Sequence, residues 1–417
     1  MSVSAGPASD GDVTDGPVLL LEPREGIPDP VADTAGLTAA IRRFAAGSGP
    51  VAIDAERASG YRYTQRAYLV QLRREGAGTI LVDPIALPDL SELSDAIADA
   101  EWVLHAASQD LACLAEVGLR PRRLFDTELA GRLLGYPRVG LGSIVEELLG
   151  LRLEKGYSAA DWSTRPLPRS WLAYAALDVE VLVDLRDVLA DQLVEQGKRD
   201  WAREEFEATM AAPPPPPRTD PWRRTSGMHK VRTRRQLAEV RALWGVRDEI
   251  ARDRDLAPGR VLPDSAIVAA VLAHPRSPAE LLALPVFGGR HTRRLVNRWW
   301  QALVAARALT DAELPRQGVP SDAPPPTNRW ADRDPDAAAR LASARIALAT
   351  IAEQNRLPVE NLLPPDVVRR LAWTPPDILR VDTVSAQMLS RGARNWQVGL
   401  TAQALTNALN VTASESD

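Results

Sequence analysis

Gly49-Pro50-Val51-Ala52-Ile53-Asp54-Ala55-Glu56 is a short apolar run that ends on two acids, and its reading decides the fold. A β-strand alternates faces with period two, so Asp54 and Glu56 project from one side while Val51, Ile53 and Ala55 project from the other. Both carboxylates then aim at the same point, although a strand end with two solvated acids has the same pattern. The neighbouring elements add to it. Glu101 to Leu114 reads as a strand running into a helix, with Asp110 in the first turn, where the helix dipole favours an acid in any case. Arg169 to Gln196 has helical apolar periodicity and sets Tyr174 and Asp178 at i and i+4 on one face.

The order strand pair, helix, helix allows Asp54, Glu56, Asp110 and Asp178 to converge on one pocket. Carboxylates gathered there raise each other's pKa unless cations compensate them. Hard oxygen ligands without a Cys or His cluster point to magnesium or manganese and away from zinc. Two such ions, roughly 3.5–4 Å apart, orient and acidify a water and stabilise an in-line phosphoryl displacement. Tyr174 would position or deprotonate that water. The implied chemistry is phosphodiester hydrolysis.

Residues from about 17 to 210 resemble the DEDD exonuclease superfamily, in its tyrosine subclass, and most closely ribonuclease D. The resemblance rests on Asp54-Ala-Glu-Arg57 followed by Ala67-Tyr-Leu-Val-Gln-Leu72, on His105-Ala-Ala-Ser-Gln-Asp-Leu111, and on Lys155 to Leu167 leading into Tyr174-Ala-Ala-Leu-Asp178. It implies metal ligation by Asp54, Glu56, Asp110 and Asp178, Tyr174 on the nucleophilic water, and a ribonuclease H-like α/β domain with a mixed sheet flanked by helices.

Several neighbours carry two readings. Gln71 either bonds a terminal nucleotide or supports the strand, and His105 is either packed or near substrate. Lys155 and Arg165 either contact phosphate or are solvated loop charge. Trp162 either stacks on a base or, as its setting favours, packs the segment onto the domain.

The chain of 417 residues, 45% hydrophobic, has room for two or three cores. Its net charge of −5 excludes a globally basic coat, so nucleic-acid contact must be local. The single cysteine, Cys113, permits no internal disulfide, and without a paired histidine it is no candidate nucleophile. Met1 to Gly16 reads as disordered and as neither signal peptide nor membrane span. With no long apolar run elsewhere, a soluble, cytoplasmic protein is expected.

Proline punctuates the rest. Ala211 to Pro217 should form an extended spacer within a linker at 211–221, and a second Pro-rich linker occupies 311–329. Between them, 222–310 opens with Trp222 to Arg235, which holds six Lys or Arg residues and no acid. Arg223, Arg224 and Lys230 in that run are candidate phosphate contacts. The helical remainder resembles an HRDC domain, the helicase and ribonuclease D C-terminal module. Residues 330–412 repeat the pattern more faintly, since Leu357 to Pro364 matches Leu256 to Pro263. Two all-α HRDC-like bundles are therefore expected, the second packing or clamping more than binding. Trp299, Trp300 and Trp396 are expected in cores.

Together these features predict a 3′→5′ exoribonuclease that uses two divalent cations, Mg2+ or Mn2+. It would release nucleoside 5′-monophosphates from RNA with a single-stranded 3′ end, with tRNA precursors among the implied substrates and no obligatory protein partner. A 3′→5′ DNA exonuclease and a non-catalytic binding scaffold are the alternatives. No residue reads the 2′-OH from sequence alone.

Overall fold

The computed structural model describes residues 16–154, 156–214, 216–318 and 323–411. Expectations for 1–15 and for Lys155 fall outside the described residues.

The first domain is built on eight strands: β1 (Val18–Leu20), β2 (Pro30–Val31), β3 (Ser48–Arg57), β4 (Ala67–Glu75), β5 (Gly78–Val82), β6 (Trp102–Leu104), β7 (Leu124–Asp126) and β8 (Leu151–Leu153). Six form a sheet in the order β2-β5-β4-β3-β6-β7, and β1 pairs with β8 beside it. The β3–β4 and β4–β5 pairs are antiparallel, whereas β2–β5, β3–β6 and β6–β7 are parallel. This is the expected mixed sheet with helices against it. Val51, Ala52 and Ile53 in β3 are all fully buried, because this strand is central and covered on both faces. Losing side-chain volume there, as in Ile53→Ala, leaves a cavity worth about 2–5 kcal/mol.

The helical stretch predicted from Arg169 to Gln196 is two helices, Arg169–Glu180 and Leu182–Glu195, which meet at Val181. Glu180 is buried at the break and held by Arg73 at 3.2 Å and Arg24 at 3.5 Å. The change of direction lets the first helix pack on β3, β4 and β5 and the second on β3 and β6.

The two C-terminal bundles share an order of elements. After short leading helical turns, each has a 20-residue helix, Arg234–Asp253 and Pro335–Gln354. A residue in the left-handed region follows, Asp255 at φ 46° and Arg356 at φ 51°. Next come a four-residue helix, Pro258–Val261 or Val359–Leu362, and a longer apolar one, Asp264–Ala273 or Pro365–Trp373. The repeated Leu-to-Pro pattern is the short helix and the turn out of it.

Both left-handed corners touch the exonuclease-like domain. Asp255 accepts hydrogen bonds from Tyr63 N (3.1 Å), Thr64 N (3.0 Å), Thr64 Oγ1 (3.0 Å) and the Tyr68 hydroxyl (3.4 Å). Tyr63 and Thr64 lie in the loop after β3 and Tyr68 at the start of β4, so the first bundle steadies the loop that leaves the acidic strand. The second corner presses the Arg356 carbonyl against Gly135, where an added Cβ would come within 2.4 Å of that oxygen. The last bundle also joins its core to that of the first domain, with Trp201 and Trp396 stacked at 4.9 Å. The first bundle keeps a core of its own around Trp299.

Gly135 sits at φ +86°, so Gly135→Ala combines backbone strain with a steric clash. We expect it to cost about 1–3 kcal/mol. Thermal denaturation should show the loss, and limited proteolysis should show earlier release of the last bundle. An unchanged melting temperature would mean that this corner carries no docking energy.

Candidate active site

Asp54 and Glu56 leave the end of β3 on one face, as period two requires, and the helix Arg169–Glu180 crosses that face. Asp178 enters from this helix, and oxygens of Asp54, Glu56 and Asp178 lie within 4.8 Å of one another. They line a cavity of about 510 Å³ together with Asp110, His105, Glu154 and Tyr174. Asp110 is buried at the N-terminal cap of the helix Leu111–Glu116. It belongs to the same cavity without joining the tight trio. Its Oδ1 lies 3.4 Å from Arg57 Nη2.

The charge in this cavity is poorly compensated by protein. Burial, then Asp54, Asp178 and Asp110, push the Glu56 carboxyl up to about 10. Burial and Asp54 push Asp110 up to about 8. Asp54 is raised chiefly by burial, and Asp178 by burial and then Asp54. Arg57 opposes these shifts at Asp54, Glu56 and Asp110. An oxygen-only donor set whose members resist ionisation for want of positive charge suits hard divalent cations.

Tyr174 stands one helical turn before Asp178 and is hydrogen-bonded to it. Its ring is held by Tyr157 edge-on at 5.9 Å and Trp162 at 6.5 Å. Burial and the charges of Asp178, Glu56 and Asp54 raise the phenol above its ordinary value. In the cation-free site this field holds the proton on Tyr174, whose side chain lines the cavity.

Other sequence candidates separate. Gln71 is fully buried opposite Asp54 on β4 and donates from Nε2 to Asp54 Oδ2 at 3.2 Å. It orients the carboxylate and does not face a nucleotide. His105 reaches the cavity rim but sets Nδ1 2.9 Å from Thr127 Oγ1, and burial pushes its pKa down to about 4, leaving it neutral at pH 7. Arg165 is withdrawn from any phosphate role. It grips both Asp83 oxygens at 2.7 and 2.8 Å and donates to the carbonyls of Tyr68, Trp162 and Thr164. Trp162 is fully buried, as its packing reading required. Cys113 is buried too, and its thiol is pushed up to about 12 by burial and then Asp110.

The basic run at the first bundle is largely spent on structure. Arg223 bonds Asp220 and the Arg316 carbonyl, and Arg234 and Arg235 fasten the chain at 307–315. Arg224 and Lys230 remain exposed. Sequence reasoning passed over Arg57 as a site residue. The signal was there, a cation immediately after the Asp-Ala-Glu triplet.

Comparison with known proteins agrees with this architecture. Residues 28–194 match the 3′-5′ exonuclease family, 236–303 the HRDC domain and 323–409 the 3′ to 5′ exonuclease C-terminal domain. A ribonuclease D of Gluconacetobacter diazotrophicus is 30% identical over 85% of this chain and 89% of that protein. A solved protein from Bifidobacterium adolescentis superimposes with a TM-score of 0.88 at 38% identity, over 95% of this chain and 100% of the other. Escherichia coli RNase D, described as an exoribonuclease involved in structured RNA processing, gives a TM-score of 0.64 at 25% identity, over 91% of this chain and 98% of the other.

Proposed function

Because the chain belongs to the ribonuclease D family of metal-dependent 3′→5′ exoribonucleases, we propose that Asp54, Glu56, Asp110 and Asp178 hold two Mg2+ or Mn2+ ions for the stepwise release of nucleoside 5′-monophosphates from RNA. The observation that carries this reading is the trio of oxygens within 4.8 Å, at carboxyls whose pKa values burial and mutual charge have raised. Bound there, the cations would supply an acidified water and charge stabilisation of the displaced oxygen.

The protein's own groups do the rest. Gln71 fixes the rotation of the Asp54 carboxylate through its Nε2 bond. Tyr174, braced by Tyr157 and Trp162, accepts a hydrogen bond from the attacking water and sets its line toward phosphorus. His105 walls the cavity as a neutral group, so it brings no competing charge. The exposed Arg224 and Lys230 offer contacts to phosphates of the RNA body, independent of sequence. A single-stranded 3′ end on a structured RNA, with tRNA precursors as one class, is the substrate proposed, in a cytoplasmic setting. The 323–411 bundle, merged with the catalytic core, acts as a brace.

Two measurements test the assignment. Mg2+ or Mn2+ at a hundred times its Kd should stabilise the protein by about 2.7 kcal/mol through mass action, and Asp178→Ala should gain less. At a fixed cation concentration the gain should grow with pH. Raised carboxyls bind more protons folded than unfolded, so the cation-free protein loses stability as pH climbs from the ordinary value of 4.5 for Glu56 toward its folded value of about 10. Cation binding must expel those protons, and its apparent affinity rises across the same range. A melting temperature indifferent to cation would refute a shared site. Matched 5′-labelled RNA and DNA test substrate class: RNA should shorten from its 3′ end, and equal degradation of DNA would favour the DNA exonuclease reading.

A further inference from the structure

Arg57 is the only Lys or Arg among the described residues lining the carboxylate cavity, and it also lines a second, adjoining cavity of about 270 Å³. That second space is walled by Ser59, Gly60, Ser158 and Ala160, and its one carboxylate is Glu56 on the shared border. Strict alternation along β3 would send Arg57 away from the face of Glu56. The register shifts at Glu56/Arg57, and the guanidinium comes back to within 3.4 Å of Asp110. Its side chain retains 28% exposure, so it is anchored at one end and open to the cavities at the other.

We propose that Arg57 is a two-position phosphate ligand: it rests on Asp110 while the carboxylates lack cations, and it turns to an RNA phosphate beside the scissile bond once a cation takes Asp110. The inference rests on the reading of Asp110 as a cation ligand. A divalent ion and a guanidinium cannot share the same Asp110 oxygen without strong mutual repulsion. The guanidinium released from it has a planar fork that matches phosphate oxygens. The adjoining cavity, bordered by hydroxyls and a glycine, gives that phosphate a place beside the acids. Cation loading and substrate binding would thereby be coupled: the site would offer its phosphate ligand only when it is ready for hydrolysis.

The test uses full-length Arg57→Gln, Arg57→Lys and Asp110→Asn. Mn2+ is titrated without RNA by calorimetry, and KM and kcat are measured on a short RNA. For Arg57→Gln we expect severalfold tighter Mn2+ binding together with a rise in KM of about tenfold, the loss of one charge-assisted hydrogen bond, and little change in kcat. Arg57→Lys should recover part of KM. An unchanged KM would reduce Arg57 to a counterion and overturn the proposal, as would Mn2+ binding no tighter than wild type. Asp110→Asn separates the two levels. If it binds Mn2+ as tightly as wild type, the ligand reading beneath has failed; if it binds weakly while Arg57→Gln is unaltered, only the inference has.

Discussion

Asp54→Asn is expected to make the protein inactive and, in chelator, more stable. Asn keeps an oxygen that can still accept from Gln71 Nε2, so the β3–β4 contact survives the change. What goes is one buried negative charge beside Glu56 and Asp178. The cation-free fold must either bury that charge or hold a proton that the unfolded chain would release, and removing the carboxyl should raise the melting temperature by about 2–4 °C for each kcal/mol relieved. Activity moves the other way. Losing several kcal/mol of transition-state charge stabilisation, at about 1.36 kcal/mol per decade, should lower kcat by roughly three orders of magnitude. With excess Mn2+ the order of stabilities should reverse, since the wild type gains more from the ion. A variant that melts lower than wild type in chelator would show that Asp54 is not held under like-charge strain.

Tyr174→Phe separates chemistry from cation binding. Phenylalanine keeps the ring packed against Tyr157 and Trp162 and removes only the hydroxyl bonded to Asp178. Cation affinity should therefore hold, while kcat falls by about 10²-fold, the scale on which loss of a positioning contact acts. As a group that positions the water, Tyr174 should leave the wild-type rate with no ascending limb that disappears in Tyr174→Phe. Such a limb would make Tyr174 a true base, and a kcat near the wild-type value would remove it from the mechanism.

The site was legible in sequence wherever its chemistry follows a local period. Period two along β3 put Asp54 and Glu56 on one face, and i,i+4 spacing put Tyr174 beside Asp178. The mixed sheet was implied by the family resemblance and is observed; Trp162, Trp299 and Trp396 are buried as their settings suggested, while Trp300 is half-buried. Misreadings arose where a partner lies far along the chain. Arg165 looked available for phosphate because Asp83, its partner, is 82 residues away. Arg223 looked like nucleic-acid charge because the Arg316 carbonyl it holds lies 93 residues on. The two readings of Gln71 stayed open because its place opposite Asp54 depends on strand register, which pattern alone does not give.

The break at Val181 was hidden for a related reason. Val179, Val181 and Leu182 are all buried, so the apolar rhythm passes through the junction without interruption. At the break Glu180 is paired with Arg73 on β4 and with Arg24, both more than a hundred residues earlier in the chain. The same limit applies to the left-handed corners. Asp255 and Arg356 close equivalent turns in the two bundles, yet one steadies the loop after the acidic strand and the other seats a brace at Gly135.

The central claim is that the carboxylates of β3 and of the helix Arg169–Glu180 form one cation-dependent site for RNA hydrolysis. Its most direct test is a time course on a 5′-labelled RNA with a single-stranded 3′ end, run with Mn2+ or with chelator, for the wild type and for Asp178→Asn. Progressive 3′ shortening with release of nucleoside 5′-monophosphates is expected for the wild type with Mn2+, and intact RNA in the other three conditions. Shortening that persists in chelator, or in Asp178→Asn at the wild-type rate, would contradict it.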